Sequence, residues 1–289
     1  MRAPGHRRSA RPAGSRRLRF AGPAWRALVA SAFAGIVLAR AAAAADGNLD
    51  AVASIVTDPD GSPLPSGWTA GAAAYAGTSP YRAQSDSVLA FPGAIYLTPT
   101  LMFLGDRVNV TVHYADKVRY FARARLRFGN LSPQDHPEWA GLKPRDWELE
   151  AGGGVQVLTP AGIVTARASS DVIGRSRGQD VIVSLDLPYI RERFVVMPSF
   201  AAIYRSSNLA NYYFGGISRS EASPLHAYHD TGAMLSASAS VVGSFRITRR
   251  WLGAAVVNYE HYPAGVRTSP LIGRSGGFDF LIGAGYTFR

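Results

Sequence analysis

Charged residues alternate along two stretches of the chain in a pattern suited to ionic chemistry. Side chains at every second position of a β-strand share one face, so each stretch presents a row of like charge. Opposite rows on neighbouring strands attract one another, whereas a basic row facing water attracts anions. Two interpretations therefore stay open, a bracing ladder and an anion-selective wall. The charged set is Arg119, Arg123, Arg125, Arg127, Glu148 and Glu150.

Histidines are the other candidates for acid–base or metal chemistry. His113 alternates with valines, which predicts a wall position in the same interior as the charged rows. His226 and His229 lie beside Asp230 in a long loop, where a weak metal site is the alternative to a solvated loop. The sequence has no nucleophile elbow, no His-Glu-x-x-His and no phosphate loop. We therefore assign no catalytic residue, no cofactor and no metal.

The elements that position these residues are predicted to be strands. The faces opposite the charged rows are apolar, as in residues 120–128 and 147–157. The last stretch, 277–288, alternates in the same way, with aromatic and aliphatic side chains on one face. No run after residue 45 approaches the ~18 apolar residues of a transmembrane helix. We count twelve candidate strands, with ten as the fallback because residues 88–118 are hardest to divide.

These strands predict an all-β fold, an antiparallel transmembrane β-barrel. A charge on the lipid face costs roughly 2–4 kcal/mol at mid-membrane, so both charged rows must face the lumen. Short connections alternate with longer loops, as periplasmic turns and outer loops do in such barrels. Pro92 and Pro198 oppose this interpretation because proline cannot donate to a strand ladder.

The start of the chain predicts export. Residues 1–45 contain nine arginines and no acidic residue. Within them, a basic region at 2–26 is followed by a short apolar run at 27–38 and by small residues suited to cleavage at 41–45. Without them the chain has 22 basic and 20 acidic residues, too balanced to favour a nucleic-acid partner. We expect a signal peptide at 1–45, a proline-rich periplasmic linker at 46–66 and a barrel at 67–289.

Two aromatic groups carry further predictions. Gly283, Tyr286 and Phe288 have the spacing of the C-terminal assembly signal of outer-membrane barrels, which implies the barrel-assembly machinery as a partner. The second group could form a contact surface on an outer loop or part of the interfacial aromatic girdle. It comprises Tyr212, Tyr213 and Phe214.

Several short motifs, in order, make the chain resemble the MipA/OmpV family of outer-membrane proteins, also called MltA-interacting proteins. The resemblance implies an outer-membrane barrel without catalytic residues. It also implies a scaffold between a lytic transglycosylase and a peptidoglycan synthase, while other members are described as porin-like or as adhesins. The motifs lie at residues 75–82, 212–218, 228–233, 269–272 and 283–288.

We therefore expect a Gram-negative outer-membrane barrel, surrounded by lipid and exported through a cleavable signal peptide. Its expected function is a non-enzymatic scaffold for peptidoglycan remodelling, contacted through its periplasmic turns and residues 46–66. The alternative is a porin-like channel for small anionic solutes through an Arg/Glu-lined lumen. A lipid acyl hydrolase using serine and histidine is the third hypothesis.

Overall fold

A computed structural model describes residues 49–55, 64, 66–129 and 131–288. The predicted signal peptide at 1–45 lies outside the described residues, as do 46–48, 56–63 and 65 of the predicted linker. Within the described ranges, no helix has the length and apolarity to cross a membrane.

The described chain is mainly β-structure. Short helices occupy Asp50–Ile55, Pro133–Asp135 and Pro137–Trp139 (3₁₀), and α1 (Ser207–Tyr213) and α2 (Ala264–Arg267) lie in later loops. The strands are β1 (Gly67–Gly77), β2 (Ser87–Leu97), β3 (Leu101–Phe103), β4 (Arg107–Ala115), β5 (Val118–Arg127), β6 (Glu148–Thr159), β7 (Gly162–Asp171), β8 (Gln179–Asp186), β9 (Tyr189–Ile190), β10 (Phe194–Arg205), β11 (Met234–Arg246), β12 (Trp251–His261) and β13 (Gly276–Thr287).

The strands close into one antiparallel barrel. Apart from β8, each strand pairs with the next along the chain, and β13 returns to pair with β1, from Thr69↔Thr287 to Gly77↔Asp279. β9 is a two-residue addition to β10, while β8 pairs directly with β10. Twelve strands therefore form the wall, which confirms the predicted fold class. Short β3 is the element that made residues 88–118 difficult to divide.

Side chains alternate between the lumen and the outer surface. On β13, Phe278 and Ile282 are exposed outside, whereas Gly285 and Thr287 are buried inside. Exposed aromatic residues collect near both rims, as expected where a barrel meets the membrane interfaces. Phe278 and Phe288 are ten residues apart, about 33 Å along the strand and about 25 Å along the axis of a tilted barrel. That distance matches the apolar band of a transmembrane barrel.

The two awkward prolines lie where the ladder needs no donor. The Trp68 carbonyl accepts from the Phe288 amide, and the Thr78 amide donates to the Phe278 carbonyl. Because backbone groups alternate between the two sides of a strand, even-numbered β1 residues form hydrogen bonds with β13 and odd-numbered ones with β2. Pro92 lies opposite Ala72, so its backbone nitrogen points away from β1. It faces a side of β2 that has no strand beside it in the described chain. Pro198 lies one position beyond the last β10–β8 pair, where its carbonyl accepts from Leu187. Proline is tolerated at such edges.

Candidate functional site

The charged rows face the lumen and are almost completely buried. Arg119, Arg123, Arg125 and Arg127 alternate along β5 with outward residues, and each is at most 4% exposed. The register sets Arg125 opposite Glu150 and Arg127 opposite Glu148. The acidic row therefore lies directly beside the upper half of the basic row.

Arg127 is the most heavily paired member of this row. Its Nε lies 2.6 Å from Glu150 Oε1 and 3.4 Å from Glu148 Oε1. Its Nη2 lies 3.4 Å from Asp180 Oδ2. Arg119, at the other end of β5, instead donates to the uncharged Thr111 and Gln156 at 2.7 and 2.6 Å. The ionic character of the row therefore rises from the periplasmic end to the outer end.

The network extends across strands that the sequence reasoning did not include. Arg167 on β7 lies 3.5 Å from Asp180 on β8. Asp106, at the β3–β4 turn, pairs with Arg107 at 2.8 Å and with Arg125 at 3.5 Å. Alternation was a usable signal for these strands, because Thr165, Arg167 and Ser169 recur at every second position of β7. On β8, Asp180, Ser184 and Asp186 share the face of even-numbered residues.

A second ionic cluster occupies the far side of the lumen. Arg205 at the outer end of β10 pairs with Glu260 on β12, and its guanidinium lies 4.6 Å from the Phe214 ring centroid. Ser236 on β11 donates to the same carboxylate at 2.5 Å. These residues lie on three successive strands and the loop after β10, up to 55 residues apart in sequence, so no local pattern links them.

The N-terminal helix Asp50–Ile55 lies inside the barrel. The Asp50 carboxylate pairs with Arg123 and with Arg167 at 3.0 Å, and accepts from Asn109 at 2.7 Å. Our interpretation of 46–66 as a periplasmic linker is therefore wrong for this helix. The prolines that suggested an extended segment follow this helix in sequence. They carry no information about the ion pairs that Asp50 forms with two arginines in the lumen.

Below the ionic layer the lumen is filled by apolar side chains. Ala51, Val52 and Leu64 from the N-terminal segment pack among inward residues of several strands. Those strand residues are Leu97, Met102, Ile163, Val195 and Met197. The periplasmic half of the lumen is thus a packed core, closed by the same segment that supplies Asp50.

The outer loops pack together over the opposite end. Their buried cluster includes Tyr81, Trp139 and Ile272, each from a different loop. Arg145 pairs with Glu221 at 2.8 Å and donates to the Gly216 carbonyl at 3.1 Å. Burial favours a higher pKa for Glu221, but hydrogen bonds from Arg145, Ser218 and Lys143 outweigh it and hold the pKa at about 2. An ionised Glu221 therefore ties two loops together.

The aromatic triplet lies mostly within this cap. Tyr213 is 5% exposed, its hydroxyl donates to the Asp146 carbonyl at 2.8 Å, and its ring lies 5.7 Å from the Arg127 guanidinium carbon. Phe214 is partly buried against the loop cluster. The Tyr212 hydroxyl accepts a hydrogen bond from the Asp146 backbone N–H at 3.0 Å, and the side chain is only partly buried. The triplet thus packs the mouth of the lumen more than it presents an outer surface.

His113 faces outward, so its predicted position in the lumen is wrong. A β-bulge between Thr111 and His113 inserts one extra residue, which sets His113 opposite Tyr120 on the outer face. The two rings lie 6.0 Å apart. His229 Nε2 contacts the Gly265 carbonyl at 2.8 Å. In the parts of the chain that the structure describes, no three His, Cys, Asp or Glu side chains lie close enough together to bind a metal ion.

The C-terminal triplet lies on the closing strand and just beyond it. Tyr286 packs edge-on against Trp251 and Phe288, with ring centroids 5.8 and 5.2 Å apart. Gly283 lies opposite Ala73 across the β1–β13 seam. The aromatic pair therefore lies on the lipid side of the periplasmic rim. Recognition by an assembly machinery remains a prediction.

Fold, aromatic rims and an interior of paired charges define the chain as a β-barrel protein of the outer membrane. The chain belongs to the MipA family: the family model described as MltA-interacting protein MipA matches residues 70–288. It is 26% identical over 222 residues to YiaT of Escherichia coli (strain K12), which is named as an outer membrane protein. That alignment covers 75% of this chain and 89% of YiaT.

Two solved outer-membrane structures also align with the chain. An outer membrane channel from Pseudomonas putida F1 aligns with a TM-score of 0.37 and 14% identity, over 81% of this chain and 100% of the channel. The outer membrane protein OprD from Pseudomonas aeruginosa aligns with a TM-score of 0.33 and 10% identity, over 75% of this chain and 65% of OprD.

Proposed function

We propose that this barrel is a closed, non-enzymatic platform in the outer membrane, on which a periplasmic enzyme of peptidoglycan remodelling docks. The observation that carries the proposal is the state of the lumen. Ion pairs fill its middle, with Asp50 among them, and apolar packing fills its periplasmic half. A barrel closed in this way is suited to holding a partner rather than to passing solutes.

The family description favours a lytic transglycosylase as the partner, because MipA is named for its interaction with MltA. A peptidoglycan synthase as second partner rests on the family resemblance alone. The charge of the periplasmic turns supports docking there. Asp116 and Glu192 are their exposed acidic residues, outnumbered by exposed basic ones. These basic residues are Lys117, Arg191, Arg193, Arg249 and Arg250. Such a rim attracts a partner with an acidic surface.

Site-specific crosslinking in cells tests the platform. A photo-crosslinking residue at Arg249 is expected to capture a cell-wall lytic enzyme, and capture is expected to weaken as ionic strength rises. The matched control places the same residue at Leu225, which is 73% exposed in an outer loop. Recovery of the same enzyme from both positions, or of lipid and abundant porins alone from Arg249, would overturn the proposal.

A porin-like channel is the second candidate, because one short segment supplies the carboxylate between Arg123 and Arg167. If that segment withdraws, two arginines face an open lumen and favour anions. Planar-bilayer recording separates the candidates. The platform predicts no steady current from the full chain, whereas a steady anion-selective current would favour the channel.

A further inference from the structure

One stretch of the barrel wall has no strand beside it among the described residues. β2 makes eleven pairs with β1 but only two with β3, at Tyr96 and Leu97. By the alternation of its hydrogen bonds, the backbone groups of Val88, Ala90 and Ala94 point toward the side without a strand. None of them has a backbone partner there among the described residues. In a membrane, such an edge is costly unless something covers it.

The gap lies above the short β3–β4 hairpin. The hairpin turns at residues 104–106, and Leu126 near the outer end of β5 donates to the Asp106 carbonyl. Beyond this turn, β2 on one side and the chain after β5 on the other line a single cavity of about 320 Å³. The lining residues from β2 include Ser87 and Leu89, and those after β5 include Phe128 and Gly129. The cavity thus borders the gap from both directions.

The gap lies at the depth of the lipid-facing band. Through β1, Val88 lies in the same row of the sheet as Phe280, and Ala90 lies in the row of Ile282. Phe280 and Ile282 are outward residues of β13, between its outer and periplasmic aromatic residues. An opening in these rows faces the outer leaflet rather than the surrounding water.

The cavity wall is amphipathic. Leu89, Phe128 and Trp139 supply apolar surface, and the neighbouring β2 wall is apolar where Phe91 packs with Tyr75. The same lining carries two basic and two acidic groups, so its formal charge is balanced. These groups are Arg127, Arg205, Glu260 and Asp279. The volume is near the lower end of the ~300–1,000 Å³ of small-molecule sites, which suits one acyl chain and not a two-chain lipid.

The geometry points to a lateral binding site for a single-chain amphiphile with a net-neutral polar head. Its acyl chain enters from the outer leaflet between β2 and the β3–β4 hairpin and lies against Leu89 and Trp139. Its head reaches the balanced charges at Arg127, Arg205 and Glu260. A cationic or anionic head would bring a net charge that the balanced wall does not neutralise. The site is separate from the periplasmic docking surface, so either proposal can fail alone.

Tryptophan quenching tests entry of an acyl chain. In the full chain, Trp139 is retained and the other four tryptophans are changed to phenylalanine, and the protein is placed in bilayers of phosphatidylcholine that carries no bromine. Trp139 is 2% exposed and lines the cavity, so its fluorescence should fall as brominated lysophosphatidylcholine is added. A variant that retains only outward-facing Trp251 reports ordinary lipid contact. Quenching of Trp251 with no effect on Trp139 would overturn the proposal.

Head-group preference and a matched pair of variants sharpen the test. Unlabelled lysophosphatidylcholine should displace the brominated probe at least about tenfold better than a fatty-acid anion or an alkylammonium of equal chain length. Equal displacement by all three would overturn the assignment of the head. Leu89→Gln should weaken binding about tenfold. Leu252→Gln, the same change at a buried residue on another strand, should leave binding unchanged. Equal losses in both variants would also contradict the site.

Discussion

Two sides of the barrel interior bury different kinds of side chain, charged on β5 to β8 and mainly small or apolar on β13, β1 and β2. The wall of β5 to β8 buries charge, and Glu148, Glu150 and Asp180 on it each lie beside Arg127. Buried Asp186 on the same wall accepts instead from the Ser184 hydroxyl at 2.9 Å. The wall of β13, β1 and β2 buries small and apolar side chains, with Phe91 against Tyr75. Buried ions cost several kcal/mol unless they are paired. The charged wall therefore needs a complete set of partners, while the apolar wall can adjoin a gap.

The largest test of this contrast changes two arginines of one strand. Arg127→Leu should lower the free energy of unfolding by about 3–5 kcal/mol, because Glu148, Glu150 and Asp180 lose a buried partner. Arg119→Leu should cost only about 1–3 kcal/mol, because it leaves uncharged Thr111 and Gln156. Urea titration of the barrel in lipid vesicles measures both. Equal losses would mean that pairing with carboxylates is not what stabilises this wall.

Asp50 tests whether the N-terminal segment completes the charged wall. Asp50→Ala should lower the unfolding free energy by about 3 kcal/mol and give transient anion-selective openings, since Arg123 and Arg167 lose their shared carboxylate. Bilayer recording and urea titration follow the two effects. Asp50→Glu, which keeps the charge, is the control and should remain closed. Openings of the same size in both variants would contradict the role of this ion pair.

On the apolar wall, loss of one buried hydrogen bond should lower the free energy of unfolding by less than loss of Arg127. The Tyr75 hydroxyl donates to Asp279 Oδ1 at 2.7 Å. Tyr75→Phe keeps the ring against Phe91 and should cost about 1–3 kcal/mol, because Asp279 loses a buried donor. The same urea titration measures it, with the lipid-facing Tyr120→Phe as a control expected to change little. A loss as large as that of Arg127→Leu would remove the proposed difference between the walls.

The smallest effect should appear outside the barrel, in the loop cap. The pKa of Glu221 is about 2, below its ordinary value of 4.5, so its stabilising effect is complete above pH 4.5. That effect should be lost as the pH falls from about 4.5 through about 2. Hydrogen exchange at Lys143, whose amide donates to Glu221 at 2.9 Å, should quicken over that interval. In Glu221→Gln, exchange should be fast already at neutral pH and insensitive to pH there beyond its intrinsic dependence.

Exchange at Gly178, whose amide donates to Ser176 in another loop, is the reference for this experiment. If Lys143 keeps its protection at neutral pH in Glu221→Gln, or loses it together with Gly178, then the carboxylate is not the tie between these loops.

The alternation along each strand was readable from the sequence, because the side-chain period of an extended chain is a local property. It was enough to predict a twelve-stranded barrel, the inward face of β5 and β6, and the lipid-facing aromatic residues of β13. One inserted residue was enough to defeat it at His113, since a bulge reverses the inward–outward alternation of the residues that follow it in the strand.

Only the tertiary structure determined which charged residues form ion pairs across the lumen. Arg205 and Glu260 are 55 residues apart, and Asp50 and Arg123 are 73 apart. The first pair depends on the stagger of β10, β11 and β12, and the second on the entry of the N-terminal helix into the lumen. Each of these is set by contacts between segments distant in the chain, about which the local pattern of residues carries no information.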